Sequence, residues 1–476
     1  MNVFPGPTPH ELRHALHEAV EWVGSYLEHV GDLPVLPRVT PGEIAATLPA
    51  SVPQHGQSLE EILKDVDRLI LPGITHWNHP AFFAYFGISG SGPGIVGELI
   101  AAALNVNAML WRTSPAATEL EQRTLQWVAE MLGLPTAWFG EITDTASAST
   151  LYALAAAREA AGLDIRNQGM AGRTDLPPLA IYCSTQTHSS IDKAAIALGI
   201  GRQWTQHIET DAEFRLRPDL LERAITNDLT TGVKPIAVVA TVGTTSSTSV
   251  DPVPAIAEIC QRYGLWLHVD AAYGGAAALL PTHRQILSGC EHADSLVVNP
   301  HKWLLTPIDC SLLYTRRPDD LKQAFSLVAD YLRTSETEVI NLMDYGLSLG
   351  RRFRALKLWM VIRAYGREGL SRIIEGHINE AQWLAQQIDA APGWERLAPV
   401  PFSTVCFRHV PPAVSNLETH NASIIDRVNT SGQAFLASTT LNGQYVIRVA
   451  IGNFATTHEH VARVWELLQR AATTDA

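Results

Sequence analysis

The chain has 476 residues, a formal net charge of -13 at pH 7, 46% hydrophobic residues and 17% charged residues. That length allows roughly two to four domains and a large core, and an acidic balance with scattered Lys and Arg excludes a protein that tracks nucleic-acid phosphates. With no apolar run of the ~18 residues a membrane span needs, no basic-then-apolar leader at the N-terminus and five widely spaced cysteines lacking a CxxC pair, the expectation is a cytoplasmic chain with reduced core thiols, neither disulfide-stapled nor thiolate-zinc.

The first predicted element is a helix. In TPHELRHALHEAV, Thr8 stands as N-cap, Pro9 at the first helical position and Glu11 three residues after the cap, which makes a capping box. Leu12, Leu16, Ala19, Val23, Tyr26 and Val30 recur at helical spacing until Gly31. A Pro-rich arm covers 33–53, and a second box, Ser58 to Glu61, starts a helix expected to end before Pro72. Two amphipathic helices joined by an arm make a poor globule alone. Their apolar faces need the main domain or a second subunit, and the second option predicts a dimer with exchanged arms.

From about residue 85 the texture changes. GISGSGPG (87–94) lacks a Walker lysine and GxGxxG spacing, and reads as a tight turn before a helix over 95–105. The runs LAIYC, IAVVATV, LWLHVD and SLVVN then alternate with helical patterns. Near-continuous hydrophobic strands separated by helices belong to a sheet covered on both faces, hence an α/β domain of mainly parallel βαβ units. A helical stretch over 345–390 leads into strand, helix, hairpin and helix, with Asn442 and Gly443 at a type I′ turn and Thr456 with Glu459 capping the last helix. The expected division is 1–84, an N-terminal helical segment; 85–364, a large α/β domain; and 365–476, a small α+β domain.

In an open α/β sheet, ligands bind beyond the carboxyl ends of the strands. That rule selects Asp270 after LWLHV, Asn299 and Lys302 after SLVV, Thr244 and Thr245 after IAVVATVG, and His188 after LAIYCSTQT. A desolvated lysine amine is the nucleophile of Schiff-base chemistry. Pyridoxal phosphate also needs a carboxylate at its pyridine nitrogen, a planar group on its ring and amides at a helix start for its phosphate. Asp270, His188 and the turn DTASAST with Ala146 and Ser147 supply one of each. Singly, each has a plainer reading: a turn aspartate, a hydrogen-bonded histidine, an ordinary cap, a lysine that snorkels to solvent. Together they point to the cofactor. His76 with His79 and His458 with His460 lack HExxH spacing, so no metal is expected.

LHVDAAYGG, NPHKWLL, HWNHPAFFAYF, WRTSPAATELE, ATVGTT and GRRFRALKLW, in this order-preserving set over nearly the whole chain, closely resemble the group II pyridoxal-phosphate decarboxylases, above all the aromatic-L-amino-acid decarboxylases. The resemblance implies a fold-type I, aminotransferase-like α/β fold with a mainly parallel seven-stranded sheet, and a homodimer with its active site between subunits. It makes Lys302 the Schiff-base lysine, Asp270 the pyridinium partner and His188 the ring-stacking histidine. Ala146, Ser147 and Asn299 fall where the family holds the phosphate, and Thr245 close to the cofactor. Tyr331, in VADYLRTSETEV, falls where a tyrosine protonates Cα; phenylalanine there goes with aldehyde formation.

The same resemblance assigns Trp77, Tyr85, Phe86, Asn107, Met109 and Gly350 to the substrate pocket, with glycine at 350 going with indole substrates. The implied reaction is decarboxylation of an aromatic L-amino acid, tryptophan ahead of phenylalanine, tyrosine or dopa. Three readings stay open beside it: an acidic or diamino substrate such as glutamate or 2,4-diaminobutyrate, an aromatic aldehyde synthase, and a cofactor-binding protein without turnover. Asp144 departs from the family's usual glycine, and a carboxylate there would repel a phosphate unless it points away.

Overall fold

The computed structural model describes residues 6–327, 336 and 338–473. Strands β1 (Phe139–Thr143), β2 (Leu179–Ser184), β3 (Thr205–Ile208), β4 (Lys234–Thr241), β5 (Trp266–Asp270), β6 (Ser295–Val298) and β7 (Ser311–Thr315) form a seven-stranded sheet in the order β1-β7-β6-β5-β4-β2-β3. Parallel pairing joins β3, β2, β4, β5 and β6, while β7 runs antiparallel to both its neighbours. The mainly parallel α/β sheet expected from sequence is therefore present. The four runs singled out are β2, β4, β5 and β6; β1 and β3 carry Glu141, Gln206 and His207, which hid them from an apolar-run criterion.

Alternation along the strands explains why both faces must be covered. Tyr182, Val238 and Ala240 enter one core with the helices Pro115–Leu132 and Val253–Tyr263, whereas Ile181, Cys183, Ala237 and Val239 enter a second with the helices Ala146–Ala160 and Ser190–Ala197. All five cysteines are buried and free. Among the described residues, no helix is long and apolar enough to cross a membrane.

Both N-terminal capping boxes form, Thr8 with Glu11 and Ser58 with Glu61. The helix Pro9–His29 buries none of its residues, and Leu12, Leu16 and Val20 stay exposed along it. The second helix does not stop before Pro72. It continues from Leu59–Asp65 through a π turn into a 3-10 turn, Leu71–Gly73, where proline sits in the first turn and owes no N–H. A short helix, Glu43–Thr47, also interrupts the arm.

The glycine-rich stretch does more than turn the chain. A Cβ on Gly97 would lie 2.5 Å from Cα of Lys357, and one on Gly94 would lie 2.3 Å from Cδ of Pro307. The helix Gly92–Leu104 thus crosses the long helix Ala355–Ala390 at near-backbone contact. That long helix begins after 345 and is broken at Gly366, whose φ is 63°.

Strands β8 (Trp394–Arg396), β9 (Thr404–His409), β10 (Ala437–Leu441) and β11 (Gln444–Ala450) form a second, antiparallel sheet. Asn442 and Gly443 have φ of 49° and 74°, as a type I′ turn requires. The last helix starts at His458, later than expected. Thr457 pairs with His460 Nδ1 at its start, and the Thr456 hydroxyl instead donates to Pro80 O at 2.6 Å. The box expected of Thr456 and Glu459 is displaced by one residue, because docking on Pro80 occupies the first threonine.

On β1, Glu141 is buried beside the ion pair Arg351–Glu121 (2.9 Å), and its Oε1 has no hydrogen-bond partner. Burial pushes its carboxyl up to about 8; Arg351 opposes the shift and Glu121 reinforces it. The folded protein therefore keeps a proton that the unfolded chain releases from about pH 4.5 upward, so stability falls as pH rises through that window toward 8. Glu141→Gln should remove this loss: its melting temperature relative to the parent should increase from pH 5 toward pH 8 and level off above it, and a pH-independent difference would mean that Glu141 is ionised in the fold.

Candidate active site

Because β2, β4, β5 and β6 run parallel, their carboxyl ends share one edge of the sheet. A cavity of about 420 Å³ opens there. Thr241, Gly243 and Thr245 reach it from β4, Asp270 and Tyr273 from β5, Asn299, His301 and Lys302 from β6, and His188 from the turn after β2. Thr145, Ala146 and Ser147 close one end; Trp77, Tyr85 and Phe86 make an aromatic wall, with Thr439 and Arg448 arriving from the small sheet. Gly243 needs its φ of 94°, and a Cβ there would press on Gly274 N at 3.0 Å. Tyr85, a non-glycine residue at φ 55°, marks local strain at the cavity wall.

Lys302 lies in the short helix Pro300–Trp303, with Nζ 5.2 Å from the centre of the Phe86 ring. The guanidinium of Arg448 sits over the same ring at 4.6 Å. Burial lowers the lysine pKa, Asp270 raises it, and Arg448 lowers it again. The net direction favours the neutral, nucleophilic amine. Asp270 is buried and accepts the Ala272 N–H at 3.1 Å, which fixes one carboxylate oxygen at the end of β5. His188 accepts the Ser190 N–H through Nδ1 at 3.1 Å, so its Nε2 bears the proton of the neutral ring. Burial is the largest cause lowering its pKa; Asp270 opposes it and Lys302 adds to it.

At the other end of the cavity, the helix Ala146–Ala160 starts without a side-chain cap. Its first-turn amides have no carbonyl of their own helix to meet, and the helix dipole favours an anion there. Asp144 does not compete for that position. Its Oδ1 accepts the Thr145 N–H at 2.6 Å, and the residue borders a separate small cavity with Arg351 and Arg354.

The fold thus brings together Lys302, Asp270, His188, Asn299, Thr245, Ala146, Ser147, Trp77, Tyr85 and Phe86. It holds Asn107, Met109 and Gly350 apart from them within the same chain. Asn107 accepts the Arg351 N–H at 3.0 Å and lies 3.4 Å from the Met109 sulfur, and Gly350 borders the small cavity of Glu141. Tyr331 lies outside the described residues. Sequence reasoning overlooked Arg448, which is 4% exposed, braces the carbonyls of Tyr85 and Ser246, and keeps Nη2 unpartnered. The signal was available: an arginine inside the apolar run YVIRVAI has to meet something buried. Tyr273 and His301 were likewise inside quoted motifs but carried no assigned role.

Residues 41–410 match the model of the pyridoxal-dependent decarboxylase conserved domain. The chain belongs to the pyridoxal-dependent decarboxylase family. It is 41% identical to tyrosine decarboxylase 3 of Petroselinum crispum over 98% of this chain and 93% of that one. It is 40% identical to phenylacetaldehyde synthase of Arabidopsis thaliana over 97% and 96%. Its fold superposes on the crystal structure of Oryza sativa TDC with PLP and tryptamine with a TM-score of 0.95, at 37% identity and covering 99% of each chain.

This decarboxylase is thus an enzyme whose cofactor is pyridoxal 5'-phosphate, and its own residues fit that group. The uncapped helix start, the carboxylate at Asp270 and the lowered lysine are the features such a cofactor calls for. Arg448→Met tests the electrostatics of the cavity. Without the guanidinium, which lowers it, the pKa of the free Lys302 amine in the apo-enzyme should rise, read from the pH dependence of its acylation rate. An unchanged profile would leave burial as the sole cause.

Proposed function

We propose that this enzyme decarboxylates an aromatic L-amino acid, tryptophan first, to the aryl amine and carbon dioxide. The convergence of Lys302, Asp270, His188 and an open helix start in one aromatic-walled cavity carries the reading. The names of the similar proteins, tyrosine decarboxylase and TDC with tryptamine, support the substrate class. The resemblance places Gly350 where glycine goes with indole substrates.

When bound, the cofactor accepts the electron pair released as the bond between Cα and the carboxylate breaks. Lys302 would hold the cofactor by its aldehyde carbon through the side-chain amine. Asp270 would keep the pyridine nitrogen protonated, and His188 would pack on the ring. The amides of Ala146 and Ser147, with Thr245 and Asn299, hold the phosphate. Trp77, Tyr85 and Phe86 keep the reacting carboxylate away from water, which favours departure of a neutral molecule. Tyr331 delivers the proton to Cα.

Asn107, Met109 and Gly350 then serve the cavity of a partner subunit, in a cytoplasmic homodimer with active sites between subunits. The uncovered apolar stripe of Leu12, Leu16 and Val20 supports such a pairing. The arginines at 112, 351 and 354 do not favour an acidic substrate. Arg351 is paired with Glu121, Arg354 with Asp309 at 2.8 Å, and Arg112 with Glu336 at 3.2 Å. A second reading, aldehyde formation, draws on the phenylacetaldehyde synthase relative; Tyr331 argues for the amine.

Mass-spectrometric product analysis of the holoenzyme with tryptophan, phenylalanine, tyrosine, dopa, glutamate and 2,4-diaminobutyrate tests both. Tryptamine or another aryl amine is the expected main product, and an acidic or diamino preference would overturn the substrate class. Lys302→Ala should abolish turnover together with the borohydride-reducible chromophore. Tyr331→Phe should divert product from amine to aldehyde, and an undiminished amine yield would assign the proton transfer to another group.

A further inference from the structure

His301 stands next to Lys302 and borders the same cavity, and its hydrogen bonds leave it one state. Its Nδ1 accepts the backbone N–H of Cys310 at 2.9 Å. Burial, the largest cause, and then Lys302 push its pKa down to about 4, so the ring is neutral and its one proton sits on Nε2. The amide group of Asn299 faces that nitrogen at 3.3 Å. If the amide nitrogen pointed there, two N–H donors would confront each other while Oδ1 of Asn299 stayed buried without a partner. Turning the amide over removes the clash and replaces the orphaned acceptor by an N–H group that awaits one, since amide oxygen and nitrogen are assigned from the hydrogen-bond network. Oδ1 then accepts the His301 Nε2–H, and both amide hydrogens become free to donate.

We propose that His301 is a positioning residue: its Nε2–H holds the Asn299 carbonyl oxygen and thereby fixes the Asn299 amide as a donor to an oxyanion in the cavity, the phosphate of the cofactor. The backbone holds the rest of the device still. Asn299 N–H donates to Ala272 O and Asn299 O accepts the Lys302 N–H, both at 3.0 Å, so only the side-chain amide is left to orient. The inference rests on the assignment of Asn299 to the phosphate, and the experiment separates the two.

Apo-enzyme variants are titrated with pyridoxal 5'-phosphate and, in parallel, with pyridoxal, and dissociation constants are read from the absorbance of the bound chromophore. His301→Leu should weaken pyridoxal phosphate by about tenfold, the scale of one hydrogen bond to a charged group, and leave pyridoxal unchanged. His301→Gln, which retains an acceptor for Cys310 and a donor for Asn299, should recover most of the loss. In the Asn299→Ala background, His301→Leu should add nothing. Equal weakening of both ligands, or no recovery with glutamine, would reduce His301 to a packing residue and overturn the proposal. Full phosphate discrimination in Asn299→Ala alone would instead refute the assignment of Asn299 to the phosphate. Should His301→Leu fail to fold, His301→Phe, which keeps a ring but no donor for Asn299, takes its place in the same titrations with the same outcomes.

Discussion

A lysine amine held in a largely dry cleft, with a guanidinium sharing its aromatic neighbour, is the constraint around which the molecule is organised. Taking a charged group out of water is costly, and the usual response is a shift toward the neutral form. Here the shift is useful, because only the neutral amine is a nucleophile. Arg448 pushes in the same direction as burial, while Asp270 opposes them. The three groups come from two strands and a short helix far apart in sequence, so the balance exists only in the folded chain.

The surroundings of Lys302 are held by a continuous set of contacts rather than by the loop that bears it. Phe86 stacks on Tyr273 at 3.9 Å and Tyr273 on Trp303 at 4.6 Å. Trp303 donates to His377 Nδ1 at 3.0 Å, His377 donates through Nε2 to Asn453 O at 3.0 Å, and Asn453 donates to Trp77 O at 3.0 Å. The chain of contacts returns to the aromatic wall from which it began. Each member limits the rotamers of the next, which is the rigid support a catalytic amine needs to stay within reach of its target.

The small sheet and the helix crossing serve the same end at longer range. Strand β11 carries Arg448 to the cavity, and its guanidinium ties Tyr85 to Ser246 across the cleft. The glycines at 94 and 97 let the helix Gly92–Leu104 press against the long helix Ala355–Ala390, which in turn presents His377 to Trp303. The packing thus links segments far apart in the sequence to one amine.

Much of this was legible beforehand wherever chemistry left a local mark. Apolar β-branched runs announced the central strands, capping boxes the N-terminal helices, and the polar residues just past strand ends the side chains that meet in the cavity, Lys302 and Asp270 among them, because period and strand polarity fix which residues meet the ligand edge. Edge strands with mixed polarity, the exact start of the last helix and the role of Arg448 were not legible, since each depends on a neighbour remote in sequence: Pro80 for Thr456, Tyr85 and Ser246 for Arg448. Nor did residue order say that Asn107, Met109 and Gly350 would sit apart from the cavity of their own chain. By itself the sequence determined which side chains could do the chemistry and which strand ends would carry them. Only the tertiary structure decided their protonation, orientation and company, because desolvation and charge proximity are properties of space and not of order along the chain.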